Sequence, residues 1–342
     1  MNERPETNPL GEFDLIERFF KRPLSNSNPQ ILLGIGDDCA LISCSAKDQP
    51  GALAISTDML IEGRHFLPGA DPGLLGHKAL AVNLSDLAAM GATPTAFTLA
   101  IAMPEAKAEW LEDFSNGLLK IANHYHCPLI GGDTTAGPLT ISITVFGRVN
   151  HTQALQRSNA QLGDDIWISG TVGDARLALG AIRQEWLLTP AEMALVAPRM
   201  HAPTPRIVLG QKLLGIAHAA VDVSDGLLGD LSHILKMSQV GAEIEIDQIP
   251  RSDTLSEQAL ERQRLCTLMG GDDYELCFTA PRVHRKTIQS LAKELDLNLT
   301  KIGVITPPTP SLMILLDDSG QILPAEESQH YLNSFDHFKT AT

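Results

Sequence analysis

The sequence contains no run of about 18 apolar residues, so it encodes no membrane-spanning helix. Its five cysteines, Cys39, Cys44, Cys127, Cys266 and Cys277, are odd in number, scattered, and form no CxxC pair. That fits reduced thiols better than a disulfide framework. Residues 1–6, MNERPE, lack the apolar region of a signal peptide, and the expected compartment is the cytoplasm. Neither a Cys/His zinc spacing nor a GxxxxGK[ST] phosphate loop is present. Basic charge is scarce too: 26 Lys and Arg against 41 Asp and Glu leave a net charge of −15. A surface this acidic argues against nucleic acid as a partner. It also sets a condition on any phosphate ligand, because divalent metal ions would have to bridge protein acid to ligand acid.

What is present is a globular composition, 44% hydrophobic and 20% charged over 342 residues, long enough for two domains. Residues 9–22 read as an amphipathic helix with Phe13, Ile16, Phe19 and Phe20 on one side. The short apolar run Ala52-Leu53-Ala54-Ile55 reads as a buried strand that releases Ser56, Thr57 and Asp58 at its carboxyl end, where ligands gather in open α/β sheets. A turn at Asp71-Pro72-Gly73 opens a helix through Ala89, ended by Gly91 and Pro94. Residues 105–126 form a second helix with Trp110, Phe114, Leu118 and Ile121 in the core, and His124 and His126, two apart, on the surface. The pattern loosens near Asn150, which places the boundary between domains of residues 1–150 and 151–342. The second domain opens with the strand Ile166-Trp167-Ile168-Ser169 and the glycine-flanked turn Gly170 to Ala175, able to offer backbone N–H groups to a ligand.

The chemistry lies in the acids. Asp38, Asp58, Asp86, Asp133, Asp222, Asp225 and Asp272 all stand at glycine-rich turns or at the ends of apolar runs. Asp86 has small and apolar neighbours, and a buried carboxylate must be paired, hydrogen-bonded or metal-bound. Hard oxygen donors suit Mg²⁺, and this many acids suit several ions clamping a polyphosphate. Two pairs of words also recur at one offset: AVNLSD at residue 81 with AVDVSD at 220, and GGD at 131 with GGD at 270. An internal repeat in which each half sends acids to one central site would explain them.

The motifs GIGDDCA, STDMLIEGRHF, AVNLSDLAAMGATP, LIGGDTT, VDVSDGL and GGDDYELCF, with an aromatic tail at Phe335, together resemble the thiamine-monophosphate kinase family of the PurM-like ATP-dependent superfamily. The resemblance spans nearly the whole chain. It implies a PurM-like fold of two α/β domains with the site in the cleft between them, and a homodimer whose N-terminal sheets pair. It implies ATP-dependent phosphorylation of thiamine phosphate to thiamine diphosphate by direct in-line transfer. By motif, Asp38, Ser56, Thr57, Asp58, Asp86, Asp133, Asp222 and Asp225 correspond to Mg²⁺ ligands, and Gly132, Asp133, Arg157 and Ser224 to ATP-binding positions. His65, Asp272 and Phe335 correspond to the thiamine-phosphate site, with Asp272 standing where the family usually carries Glu, and Phe335 where it carries Tyr or Trp. No residue is implied as a general acid or base. Selenophosphate synthetase and aminoimidazole ribonucleotide synthetase use the same acidic platform and are the alternatives.

Overall fold

The computed structural model describes residues 11–21, 28–44 and 51–332, so Phe335 lies outside it. Twelve strands fall into two six-stranded sheets among the described residues. The first half contributes β1 (Ile31–Leu33), β2 (Ala40–Ser43), β3 (Gly51–Ile61), β4 (Thr93–Met103), β5 (Leu129–Ala136) and β6 (Thr140–Asn150). Their order is β1-β2-β3-β6-β4-β5, antiparallel throughout except for the parallel β4–β5 edge. The second half contributes β7 (Asp165–Ser169), β8 (Ala219–Asp222), β9 (Gly241–Glu245), β10 (Leu276–Ala280), β11 (Leu299–Thr306) and β12 (Met313–Leu316). These are ordered β12-β9-β11-β7-β10-β8, with β12–β9 the parallel pair. Two α/β units result, each a mixed sheet carrying helices.

The helix Pro72–Ala89 sits at the centre. Asp71 caps it, accepting from the Leu74 backbone N–H at 2.8 Å, and Pro72 stands at its first position. Met90 ends it and Gly91 follows at φ +66, a left-handed stop. Leu75, Ala79, Leu80, Ala81, Val82, Leu84, Leu87, Ala88 and Ala89 are all buried, because the helix is covered on more than one side. One neighbour is the inner face of the first sheet, and a second is the helix Ala108–His124. Close approach to the latter relies on glycine: a Cβ on Gly76 would lie 2.1 Å from the Phe114 carbonyl oxygen, and one on Gly117 would lie 1.9 Å from that of Gly73. The third neighbour is the helix Ile207–Leu213 of the second half, where a Cβ on Gly210 would lie 2.0 Å from the Ala88 carbonyl oxygen.

Several sequence expectations change. Ser56, Thr57 and Asp58 lie inside β3, since the strand continues six residues past Ile55 to Ile61 and pairs along its whole length with β6. The N-terminal turn is helical over Glu12–Leu15 and a π-turn over Ile16–Phe20. Its apolar face is not buried: Phe13, Phe19 and Phe20 are exposed, Phe13 lies 4.2 Å from the His233 ring, and the Arg18 guanidinium sits over the Phe19 ring. In the helix Ala108–His124, Phe114, Leu118 and Ile121 are buried, Trp110 is half-buried against them, and His124 is exposed as expected. The repeated words do not mark a structural repeat. Asp86 is on a helix while Asp222 ends a strand, and Gly131–Asp133 lie in β5 while Gly270–Asp272 form a turn.

Gly210→Ala tests the central contact. Alanine favours a helix by up to about 1 kcal/mol over glycine, but its methyl would meet a backbone carbonyl that cannot move aside. The net expectation is a loss of about 1–3 kcal/mol, read as a lower midpoint in urea unfolding, and an unchanged or higher midpoint would refute the packing.

Candidate active site

Three elements bring three carboxylates together. Asp38 follows β1 in the Gly34–Asp38 turn, Asp86 projects from the helix Pro72–Ala89, and Asp222 ends β8. One carboxylate oxygen of each lies within 4.8 Å of the others, and no other set of three or more metal-ligating residues is this close among the described residues. Asp38 and Asp222 are buried. Asp86 and Asp222 line a cavity of about 1100 Å³ between the two halves, together with Asp58, Asp225, Asp272 and His65, and Asp38 stands behind them.

Each acid is held by a neighbour. Ser56 Oγ donates to Asp86 Oδ2 at 2.5 Å. Ser56 and Asp58 share the inner face of β3 by its two-residue period, which aims both at the helix. Asn83 Oδ1 accepts from the Asp58 backbone N–H at 3.0 Å, tying strand to helix one turn before Asp86. Asp230 Oδ2 accepts from the backbone N–H groups of Ser224 and Asp225 at 3.0 and 3.1 Å and fixes the turn after β8. Arg157 grips Asp38 with Nη2 at 2.6 Å and Nε at 3.3 Å, and its backbone N–H meets Asp37. His65 Nδ1 accepts from the Ile61 backbone N–H at 3.0 Å, which leaves Nε2 as the protonated nitrogen of the neutral ring.

Crowding shows in the acidities. Burial, then the charges of Asp58, Asp222 and Asp38, pushes Asp86 well above the carboxylate range, and burial with Asp38 does the same to Asp222. Burial first, with Glu12 next, pushes Asp58 up to about 6 and Asp225 up to about 7. Burial and Asp38 push Asp37 up to about 7. Clustered oxygen donors that hold protons so readily are what a hard divalent cation relieves, so the residues present fit Mg²⁺.

The site residues named from sequence do not all converge. Thr57 lines the rim of the same cavity, but its hydroxyl bonds that of Thr144 at 2.8 Å on the face of β3 opposite to Ser56 and Asp58. Gly132 and Asp133 lie in β5, at the far edge of that sheet, with every residue of the strand exposed. Asp133 is paired with Ala100, Ala100 with Ser142 and Ser142 with Met59, a row across the outer face and away from the acidic floor. The Gly170–Ala175 turn offers no free cradle at Gly173: that N–H donates to both oxygens of buried Asp273 at 2.9 Å. Conversely, sequence reading passed over Asn83, Asp230 and Lys78. Lys78 is 5% exposed, lines the cavity, and meets Asp272 at 2.9 Å. One signal could have found it: it is the sole cation of its helix and stands two turns before Asp86 on the same stripe.

Comparison with known proteins agrees with this arrangement. Residues 36–149 match the family model described as AIR synthase related protein, N-terminal domain, and residues 161–313 match its C-terminal domain. Fold and acidic floor therefore define an AIR synthase-related, PurM-like protein. The chain is 43% identical to the thiamine-monophosphate kinase of Escherichia coli strain K12 over 332 residues, 96% of this chain and 99% of that one. It superimposes on the crystal structure of thiamine-monophosphate kinase from Stenotrophomonas maltophilia K279a with a TM-score of 0.75 at 45% identity, covering 92% and 99% of the two chains. AaThiL complexed with AMPPCP and TMP gives a TM-score of 0.78 at 28% identity, covering 96% and 97%. The chain belongs to the thiamine-monophosphate kinase family.

The raised carboxyl pKa values predict how the metal-free protein responds to pH. A carboxyl whose folded pKa is raised stabilises the fold fully below its unfolded value near 4 and loses that contribution as pH climbs through the folded value. Burial pushes His233 down to about 3 and also lowers His201, which opposes this trend only below about pH 6.5, where unfolded histidine charges. In EDTA the melting temperature should therefore fall between about pH 6.5 and 8.5 as Asp37 and Asp225 ionise. Millimolar Mg²⁺ should restore more at the upper end, and Asp225→Asn should blunt the decline. A flat profile would contradict the site's electrostatics.

Proposed function

We propose that this chain is an ATP-dependent thiamine-phosphate kinase that passes the γ-phosphoryl group of ATP directly to the phosphate of thiamine phosphate, using several Mg²⁺ ions. The observation that carries the reading is the meeting of Asp38, Asp86 and Asp222, two of which line a cavity of about 1100 Å³ that also presents His65, Arg64 and Lys78. The name of the relatives and the AMPPCP and TMP bound to AaThiL support the same substrates.

When bound, Mg²⁺ would neutralise the β- and γ-phosphate oxygens against the acid floor. We assign Asp38, Ser56, Asp58, Asp86, Asp222 and Asp225 to hold it. The chain does the positioning: Ser56 orients Asp86, Asn83 anchors Asp58, and Asp230 holds the turn carrying Ser224 and Asp225. We assign Arg157 and Ser224 to ATP, with Arg157 already turned toward the floor through Asp38. His65 and Asp272 are assigned to thiamine phosphate. That acceptor needs no general base, because its phosphate, with a second pKa near 6, is largely ionised at neutral pH. Catalysis is then positioning plus charge neutralisation.

Thr57, Gly132 and Asp133 belong to this reading through the outer face of the first sheet. We infer a homodimer in which that face is covered by a second copy, since β5 presents an open, fully exposed edge. A cytoplasmic enzyme is consistent with five free cysteines, four of them buried.

Production of ADP should require thiamine phosphate and a divalent cation together. Asp86→Asn should lower kcat by roughly 10²-fold or more, because a metal clamp is worth several kcal/mol in the transition state. Full turnover after EDTA treatment would end the reading. With chirally labelled γ-phosphate, one in-line displacement inverts configuration in the thiamine diphosphate formed. Retention would instead require a covalent intermediate.

A further inference from the structure

A second cavity, of about 700 Å³, is built from the second half of the chain alone and shares no lining residue with the acid-lined one. Its charge is of the opposite kind. Arg199, Arg206 and Lys293 line it against Glu275 and Asp296, so cations outnumber acids there, in a chain whose net charge is −15. Lys293 and Asp296 are exposed, which leaves the desolvated excess with the arginines. Leu297 and Leu299 add an apolar wall.

One carboxylate holds both arginines from behind. Glu275 is fully buried. Ser169 Oγ donates to its Oε2 at 2.5 Å, Arg206 Nε to Oε2 at 2.6 Å and Arg199 Nη2 to Oε1 at 2.6 Å, and Arg206 Nη2 also donates to Oε1. Four donors fill the four lone-pair positions of a carboxylate. Gly170, at φ +60, makes the room, since a Cβ there would lie 2.2 Å from Glu275 Oε1. Arg199 Nη2 also reaches the carbonyls of Thr171 and Asp273, at 3.5 and 3.2 Å, while both oxygens of the Asp273 carboxylate accept from the Gly173 N–H. Two guanidinium charges thus share one saturated partner. Arg199 Nε is buried with no hydrogen-bond partner. The Nη1 groups of both arginines and the Lys293 ammonium have none either among the described residues, and they belong to side chains that line the cavity.

We propose that this cavity binds the phosphate group of a small organic phosphate ester, with the phosphate against Arg199, Arg206 and Lys293 and the organic part against Leu297 and Leu299. Guanidinium forks fixed from behind and open in front are preorganised for an oxyanion, and their donor geometry matches phosphate. A phosphate dianion has charge and acceptors for all three cations, which a carboxylate monoanion does not. The acid-lined cavity needs metal ions before it can receive a phosphate. This one supplies its own cations, so binding here is independent of divalent metal.

That difference separates the two cavities in calorimetry. In EDTA the bare acids of the first repel an anion, and phenyl phosphate should saturate one site per chain of the full-length protein. Inorganic phosphate should bind about threefold or more weaker, for want of the apolar contact, and acetate weaker still. Lys293→Met should weaken phenyl phosphate by roughly tenfold, the scale of one charge-assisted hydrogen bond. Gln289→Glu, one turn earlier on the helix Arg285–Glu294, should weaken it as well. Both positions are exposed, so neither substitution threatens folding. Asp225→Asn should bind as the wild type does. Absence of saturable binding in EDTA overturns the proposal. Inorganic phosphate bound as tightly as phenyl phosphate overturns it in favour of a free-phosphate site. Unchanged affinity in both Lys293→Met and Gln289→Glu, or altered affinity in Asp225→Asn, would put the ligand elsewhere and overturns it equally.

Discussion

Repulsion among carboxylates governs this structure. Two unit charges about 5 Å apart repel by roughly 3 kcal/mol at an effective dielectric of about 20, and Asp38, Asp86 and Asp222 present three such pairs within 4.8 Å. The fold contains them by distributing them over rigid elements that cannot separate: a turn, a helix and a strand end. Arg157 offsets one charge directly, and Ser56 donates to a second. The rest shows as pKa values of Asp86 and Asp222 pushed upward, first by burial and then by the neighbouring carboxylates. The same crowding is what a divalent cation between the carboxylates would relieve.

The helix Pro72–Ala89 converts that constraint into an ordered cavity. It is buried by the first sheet, by the helix Ala108–His124 and by the second half of the chain, and glycines at the crossings let backbones approach. A helix so fully covered has little freedom to rotate or slide. Its polar residues are then fixed in space: Asn83 beside β3, Asp86 on the floor, Lys78 two turns away. The negative and positive ends of the cavity are separated by a length that the helix sets, and only the two halves packed together complete either end.

The class of chemistry was legible in the sequence, because acids at glycine-rich turns advertise oxygen ligands without any tertiary information. The central helix was legible too, from Asp71-Pro72 at its start to Gly91 at its end. What could not be read was which side of an element a motif faces. Ser56-Thr57-Asp58 looks like one donor set, yet in an extended strand Thr57 points opposite to its neighbours, and only the length of β3 reveals that the segment is a strand. AVNLSD and AVDVSD look like copies, yet one is helix and the other strand and turn, since six residues do not decide between a period of 3.6 and one of 2. The salt bridge between Lys78 and Asp272 joins residues 194 apart, a pairing that no local pattern encodes.

Asp272 draws these strands together. The resemblance read from the sequence implies Glu at this position, and a shorter acid there reads as a loss of reach. The backbone gives a different reason for it. At φ +67 the left-handed conformation is tolerated by aspartate more readily than by longer side chains, so the substitution eases a turn already crowded by its neighbours. A Cβ at Gly271 would lie 2.3 Å from the Ser224 carbonyl oxygen, which shows how tightly the turn presses on the residues beside Asp225. Lys78 in turn reaches the shortened carboxylate at full hydrogen-bonding distance. The turn that carries Asp272 and Tyr274 is thus hydrogen-bonded directly to the backbone of Val223 and Ser224, so these two stretches of the cavity wall hold one another in register. Fixed register of that kind is what a phosphoryl transfer carried by alignment and charge neutralisation would require.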